Sequence, residues 1–201
     1  MSGTDLFGNV STLDNGERSD FDFYETPAWM TRSLLTHHPV IRGKLVLECA
    51  SGNDAITTVL RDEGGCTVLT NDIDRRHPAM THHDATKEDF WKFITADCPI
   101  EWVISNLPFN VAFPILEHAL HYTARVAFLL RKTFLEPTDD RGPFLAQFPP
   151  QHIIGLPRHK FRQGVESTDS VSCDWMIWND KGGSARPIIV DYGAKSRGRR
   201  P

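Results

Sequence analysis

Residues 44–56, KLVLECASGNDAI, decide the fold of this chain. They begin with a short apolar run closed by Glu48, as expected of a strand buried on both faces. Residues 51–54 have the composition of a turn, and residues 55–63 have the pattern of a helix that ends at the glycine pair 64–65. The stretch therefore predicts one strand–turn–helix unit of an α/β sheet.

The same alternation of strands and helices extends on both sides of this unit. Upstream, Thr26 is expected to cap a helix whose first turn contains Pro27 and which stops before Pro39. Further strands are predicted at 66–71, 101–105, 125–130, 152–156, 173–178 and 187–192, and further helices at 87–96 and 111–122. The fold class is therefore α/β, with a mostly parallel sheet, helices on both faces and ligands bound at the carboxyl ends of the strands.

Length and composition exclude several classes of protein. The 201 residues suit one domain, and 40% hydrophobic with 24% charged residues argues against disorder and against a coiled coil. Four cysteines without CxxC spacing argue against a zinc ribbon or a disulfide scaffold. The longest apolar run has five residues and no signal-peptide pattern opens the chain, so we expect a soluble cytoplasmic protein, in the host cytoplasm if a phage encodes it.

Charge is unevenly distributed, although 22 basic against 26 acidic residues give a net charge of only −4. Residues 1–20 are polar and acidic and predict a flexible arm, whereas residues 193–201 form a basic tail. Residues 151–165 contain basic residues and histidines but no acid. Such clusters suit phosphate binding, and they equally suit a solvated surface, so charge alone does not identify a partner.

Two turns after strands carry residues suited to binding a nucleoside. Glu48 closes its strand, and Gly52 allows a ligand to approach the backbone closely before the next helix. Asp72 follows the second strand, where an acid can accept hydrogen bonds from ribose hydroxyls. The simpler alternative is a tight turn at Gly52 and helix caps at Asp72 and Asp74.

Residues 106–109, NLPF, directly follow the strand predicted at 101–105 and form an unusual turn, with an asparagine, a proline and an aromatic residue in succession. The Asn106 side-chain oxygen and the Leu107 carbonyl can accept both hydrogens of a planar amine, while Pro108 stiffens the turn. The Phe109 ring can stack on the heterocycle that carries the amine. The alternative is that Asn106 caps a helix and Phe109 belongs to the core.

Together these motifs resemble the S-adenosylmethionine-dependent amino methyltransferases, in particular the small phage-type DNA adenine-N6 methyltransferases. The resemblance covers residues 21–192 as the catalytic domain, with residues 106–109 as the catalytic motif. It implies a Rossmann-like class I methyltransferase fold with a seven-stranded sheet. It also implies contacts to S-adenosyl-L-methionine from Tyr24, Thr26, Pro27, Glu48, Ala50, Gly52, Asp72 and Asp84.

The resemblance has two departures, and similar motifs serve other substrates. Leu107 stands where proline is usual, and Asp54 stands where a second glycine is common. Enzymes acting on RNA adenine, cytosine N4 and protein glutamine use similar turns. A non-catalytic nucleic-acid-binding domain that kept the fold is a further alternative.

The expected chemistry is direct in-line methyl transfer to the N6 amine of adenine, without a metal ion. The resemblance implies DNA as the substrate, with RNA as the alternative, and a base in a duplex would have to flip into the pocket. Sequence reading would come from loops such as 133–150 or 157–172, or from a second subunit in a homodimer. Phe161 is expected near the base. The residues expected to hold the phosphates of the substrate are the basic residues Arg131, Lys132, Lys160 and Arg162.

Overall fold

The computed structural model describes residues 25–123, 125–159 and 172–179 and the backbone of 188–190. The strands are β1 (Leu45–Glu48), β2 (Thr67–Thr70), β3 (Trp102–Asn106), β4 (Val126–Arg131), β5 (His152–Gly155), β6 (Cys173–Trp178) and β7 (Ile188–Val190). The helices are α1 (Ala28–His37), α2 (Ala55–Asp62), α3 (Glu88–Thr95), α4 (Ala112–Tyr122) and α5 (Arg141–Gln147). Short 3-10 helices lie at Pro39–Ile41 and Lys132–Leu135.

The strands form one sheet in the order β2-β1-β3-β4-β6-β5-β7. All neighbouring pairs are parallel except those that β6 makes with β4 and β5. The chain moves from β1 to β2 on one side and then returns to place β3 on the other side of β1. This reversal opens a crevice at the carboxyl ends of β1 and β3, where α/β sheets bind ligands.

Helices cover both faces of the sheet, and the alternation of side chains along β4 shows why. Ala127 and Leu129 face a core that also contains apolar residues of α1 and α2. Val126, Phe128 and Leu130 face a second core, shared with residues of α3 and α4. Because successive strand residues point to opposite faces, an uninterrupted apolar strand requires cover on both sides. The predicted α/β class with a Rossmann-like sheet is confirmed.

One predicted helix start is wrong. Pro27, not Thr26, is the residue that precedes α1, and no side chain caps this helix. The Thr26 hydroxyl is buried and faces Asn106 instead. The segment 133–150, expected as a loop, contains helix α5.

The expectations for residues 1–20 and 193–201 lie outside the described residues. In the part of the chain that is described, no helix combines the length and the apolar character that crossing a bilayer requires.

Candidate functional site

A central cavity opens at the carboxyl ends of β1, β2 and β3. It brings together eight residues that the sequence singled out: Thr26, Glu48, Ala50, Gly52, Asp72, Asn106, Leu107 and Pro108. It also contains residues that the sequence reasoning did not assign to a site: Glu25, Ser51, Asn53, Ala55, Ile56, Ile73, Asp74 and His77. The turns after three different strands therefore converge on one space, as parallel topology requires.

The lining of the central cavity is acidic. Carboxylates come from Glu25, Glu48, Asp72 and Asp74, and no lysine or arginine is among its described lining residues. Asp74 is paired with the exposed Arg76. A cavity of this charge disfavours phosphate-bearing cofactors and favours a cationic ligand. The sulfonium and ammonium groups of S-adenosylmethionine fit that requirement.

Asp72 joins the two turns that flank the cavity. Its Oδ2 accepts a hydrogen bond from the Gly52 backbone N–H at 2.8 Å, and its Oδ1 accepts one from the Asp74 N–H at 2.8 Å. Gly52 has a φ of +52°, which glycine adopts without a steric penalty. Each carboxylate oxygen can accept a second hydrogen bond, so Asp72 can still receive ribose hydroxyls.

Glu48 is buried at the floor of the central cavity. The Thr57 hydroxyl donates a hydrogen bond to its carboxylate. Burial raises the pKa of Glu48 well above its ordinary value, and the nearby charges of Asp54 and Asp72 raise it further. The carboxyl group is therefore protonated more readily than an exposed glutamate, and a bound cation would favour its ionised form.

Asn106 ends β3 with its side chain held in one orientation. Its Nδ2 donates a hydrogen bond to Thr26 Oγ1 at 3.0 Å, so Oδ1 faces away from Thr26. The Leu107 side chain is buried in the core beneath α4, which anchors the turn although proline is absent there. The turn thus starts from two anchored side chains, which favours a fixed position for the oxygens that an amine would need.

Phe109 is half-buried and packs against the core on the side of α1 and α2. The Arg131 guanidinium lies over its ring, with Cζ 4.0 Å from the ring centroid. The predicted base-stacking ring and one of the predicted phosphate-binding residues are therefore in contact with each other.

Several expected site residues do not line the central cavity. Asp84 Oδ1 accepts hydrogen bonds from the backbone N–H and hydroxyl of Thr86, at 2.9 and 2.6 Å. These bonds form a local turn before α3. Pro27 lines an open groove beside α1. Lys132 places Nζ 3.7 Å from Asp174 Oδ1. Tyr24, Lys160, Phe161 and Arg162 lie outside the described residues.

Two features of the cavity were missed from the sequence. His77 Nδ1 and Asn53 Oδ1 are 3.0 Å apart, which links the turn after β1 to the turn after β2. Ile73, next to Asp72, is 47% exposed and offers an apolar surface for the face of a heterocycle. The position of Ile73 between two aspartates in the turn could have indicated its role. The contact of His77 with Asn53 depends on the fold and could not be predicted from sequence.

Curated relatives of this chain are ribosomal RNA methyltransferases. The ribosomal RNA small subunit methyltransferase A of Xanthomonas euvesicatoria is 33% identical over 109 residues, which cover 47% of this chain and 41% of that protein. The protein of the same name from Aromatoleum aromaticum is 29% identical over 175 residues, covering 75% of this chain and 64% of that protein. The chain thus spans less than two thirds of the length of these relatives.

Comparison with solved structures gives the same fold. The methyltransferase subunit of a type I restriction-modification system from Streptococcus thermophilus superposes with a TM-score of 0.58 at 12% identity, over 85% of this chain and 50% of that chain. No protein-family model matches the sequence. In sequence the chain is similar to these ribosomal RNA methyltransferases over part of their length, and in fold it matches the methyltransferase subunit, so S-adenosyl-L-methionine is the expected cofactor.

Proposed function

We propose that this protein transfers a methyl group from S-adenosyl-L-methionine to the exocyclic N6 amine of adenine in a nucleic acid. One observation carries the proposal: Asn106, Leu107 and Pro108 line the same cavity as Glu48 and Asp72. The groups suited to hold an amine therefore lie beside the groups suited to hold a cationic nucleoside. In-line transfer needs this adjacency.

The residues of the NLPF turn would orient the amine. When bound, S-adenosylmethionine supplies a methyl group on a sulfonium, which is already a strong electrophile. Asn106 Oδ1 and the Leu107 carbonyl would accept the two amine hydrogens, which turns the nitrogen lone pair towards that methyl group. The amine nitrogen would then take the methyl group, the electron pair of the C–S bond would stay on sulfur, and the amine proton would leave to solvent.

The acidic residues of the central cavity would bind the cofactor. Glu48 would favour the positive charge of the methionine portion, and Asp72 would accept hydrogen bonds from the ribose. Ile73 would pack against the adenine ring of the cofactor. The turn around Gly52 allows this close approach of ligand to backbone.

DNA is the substrate that the sequence resemblance over residues 21–192 suggests. A target base inside a duplex cannot reach the Asn106 turn, so it would flip out at a cost of a few kcal/mol. The type I restriction-modification subunit of the same fold is consistent with DNA but supports it only through fold.

RNA adenine is the second candidate, because the two curated relatives are named as ribosomal RNA methyltransferases. Incubation of the protein with tritiated cofactor and DNA, RNA or protein acceptors separates the two. Nucleoside analysis by mass spectrometry then identifies N6-methyladenine, N4-methylcytosine or methylglutamine. Label in protein alone would reject the proposal.

Substitution of Asn106 tests the catalytic assignment. We expect Asn106→Ala to abolish methyl transfer while calorimetry still detects S-adenosylmethionine binding. Asn110→Ala, an exposed asparagine four residues later, is the matched control and should keep full activity. Retained activity in Asn106→Ala would overturn the assignment. Absence of cofactor binding by the unmodified protein would favour a non-catalytic domain.

A further inference from the structure

We propose that Arg131 reads the target base by donating a hydrogen bond from its guanidinium to the ring nitrogen beside the N6 amine. This inference rests on the proposed function and adds a specificity residue to it. It differs from the sequence-based expectation, in which Arg131 holds a phosphate. Two observations favour a base over a phosphate: the guanidinium lies over the Phe109 ring, and its Nε is buried without a partner among the described residues.

Arg131 is a cation that no acid neutralises within the described part of the chain. It ends β4, the strand next to β3, and Leu129, two residues earlier, pairs with Asn106. Its guanidinium forms no ion pair there, whereas the next residue, Lys132, has Asp174 at 3.7 Å. Arg131, the last residue of β4, therefore contacts an aromatic ring, whereas Lys132, the residue after it, contacts a carboxylate. A half-buried, unneutralised guanidinium is costly unless a ligand uses it.

The contact with Phe109 does not occupy the N–H donors of Arg131. A cation–π contact engages the face of the guanidinium, and the N–H groups project from its edges. The Arg131 Nε is buried and has no hydrogen-bond partner among the described residues. A donor without solvent access is better placed to meet a base that enters the site than a phosphate that stays at the protein surface.

Adenine offers the acceptor that this donor needs. Its N6 amine is flanked by N1 and N7, and both are hydrogen-bond acceptors. If the Asn106 turn holds the amine, one of these nitrogens lies at the same edge of the base. Guanine carries an oxygen in place of the amine and a hydrogen on N1, so the same constellation would reject it. Arg131 would thus add a ring-nitrogen contact to the amine contact, and this pair of contacts excludes guanine.

Base analogues provide the test. The acceptor is the oligonucleotide that the wild-type protein methylates, with adenine, 1-deazaadenine or 7-deazaadenine at the target position. We expect one of the two deaza bases to lower kcat/KM about 10- to 100-fold with the wild type, the usual effect of losing a hydrogen bond to a charged group. In Arg131→Met that same analogue should be methylated as well as adenine. Arg131→Lys, which keeps the charge but not the planar fork, should retain little of the discrimination.

The controls separate this role from the alternatives. The salt dependence of oligonucleotide binding should be the same in Arg131→Met and wild type, because no phosphate contact is lost. A decrease of about one in that slope would identify a phosphate contact and overturn the inference. An equal analogue penalty in both proteins would also overturn it. Unchanged cofactor binding by Arg131→Met confirms that the variant folds, and failure of the wild type to methylate any nucleic acid would reject the proposed function itself.

Discussion

The Asn106 side-chain amide donates a hydrogen bond from Nδ2 to Oγ1 of Thr26 at 3.0 Å, although 80 residues separate the two in sequence. Thr26 is 4% exposed and immediately precedes Pro27, so its hydroxyl has a fixed position. An amide can present either its oxygen or its nitrogen, and only the oxygen can accept an amine hydrogen. Because Thr26 Oγ1 accepts from Nδ2 here, Asn106 Oδ1 faces away from Thr26.

Removal of the Thr26 hydroxyl should lower the rate of methyl transfer without changing cofactor affinity. Thr26→Val keeps the shape of the side chain but cannot accept a hydrogen bond, so the Asn106 amide loses its orientation. We expect kcat to fall roughly five- to tenfold, as for the loss of about 1 kcal/mol. Steady-state kinetics and calorimetry with S-adenosylmethionine measure the two quantities.

Thr26→Ser is the matched control, because it restores the hydroxyl and should recover most of the rate. Equal rates for the valine and serine variants would show that the hydroxyl does not orient Asn106. A loss of cofactor affinity in the valine variant alone would instead indicate that Thr26 contacts the cofactor directly.

Cofactor binding should release a proton from Glu48. Burial raises the pKa of this group well above the ordinary 4.5, and a bound cation lowers it again. S-adenosylmethionine affinity should therefore rise as pH increases towards the raised pKa of the free protein. Calorimetry in two buffers of different ionisation enthalpy measures the released protons. In Glu48→Gln, which keeps an acceptor for Thr57, the same experiment should show a smaller release and a flatter pH dependence.

The stability of the free protein should follow the same ionisation with the opposite dependence on pH. Because the folded state holds a proton on Glu48 that the unfolded state loses, the free energy of unfolding falls as pH rises from about 4.5 through the raised pKa. Glu48→Gln lacks this contribution. Equal pH profiles of unfolding for the two proteins would contradict the burial of an ionisable group here.

His38 should make the protein less stable in mild acid. Its ring lies 5.3 Å from that of Trp102 and 5.4 Å from that of His152, centroid to centroid, and burial lowers its pKa to about 4. Between about pH 6.5 and 4 the unfolded chain binds a proton that the folded chain does not. Stability is therefore lost as pH falls through this range, by at most about 1.4 kcal/mol per pH unit.

Urea unfolding at several pH values tests this assignment. In His38→Phe, which keeps a ring against Trp102, the loss between pH 7 and 5 should be smaller than in wild type. His121→Gln changes an exposed histidine and should leave the pH profile unaltered. A wild-type profile in His38→Phe would show that another group causes the acid sensitivity.

The strands were predictable from sequence because they are buried on both faces and read as short apolar runs. β6, for example, was expected at 173–178 and spans Cys173–Trp178. The start of α1 was not predictable, because Thr26 has the side chain of a cap and only the distant Asn106 shows its other use. Local pattern thus located the elements, while contacts across the fold determined which polar group serves which partner.

The site residues also divide into those that the local sequence predicts and those that only contacts across the fold reveal. Glu48, Gly52, Asp72 and Asn106 are predictable because each lies at the end of a strand or in the turn that follows it, and the topology brings those positions together. The contact of Arg131 with Phe109 joins the ends of two strands, and no sequence spacing encodes it. The expectation that Asp84 faces the cofactor rests on resemblance and stays a prediction, and Asp84 Oδ1 accepts two local hydrogen bonds from Thr86.

Asp54 should be replaceable by glycine with a gain in stability. It precedes α2 with a φ of +61°, a conformation that costs a residue with a Cβ atom about 1 kcal/mol or more and costs glycine nothing. Its Oδ1 is also buried without a hydrogen-bond partner among the described residues, and burial raises the pKa of the carboxyl group. Asp54→Gly should therefore raise the free energy of unfolding by about 1 kcal/mol, measured by urea denaturation. Asp54→Ala separates the two causes, since it removes the carboxylate but keeps the backbone strain. If alanine stabilises as much as glycine, the buried carboxylate is the source of the cost; if neither variant is more stable, the turn is not strained.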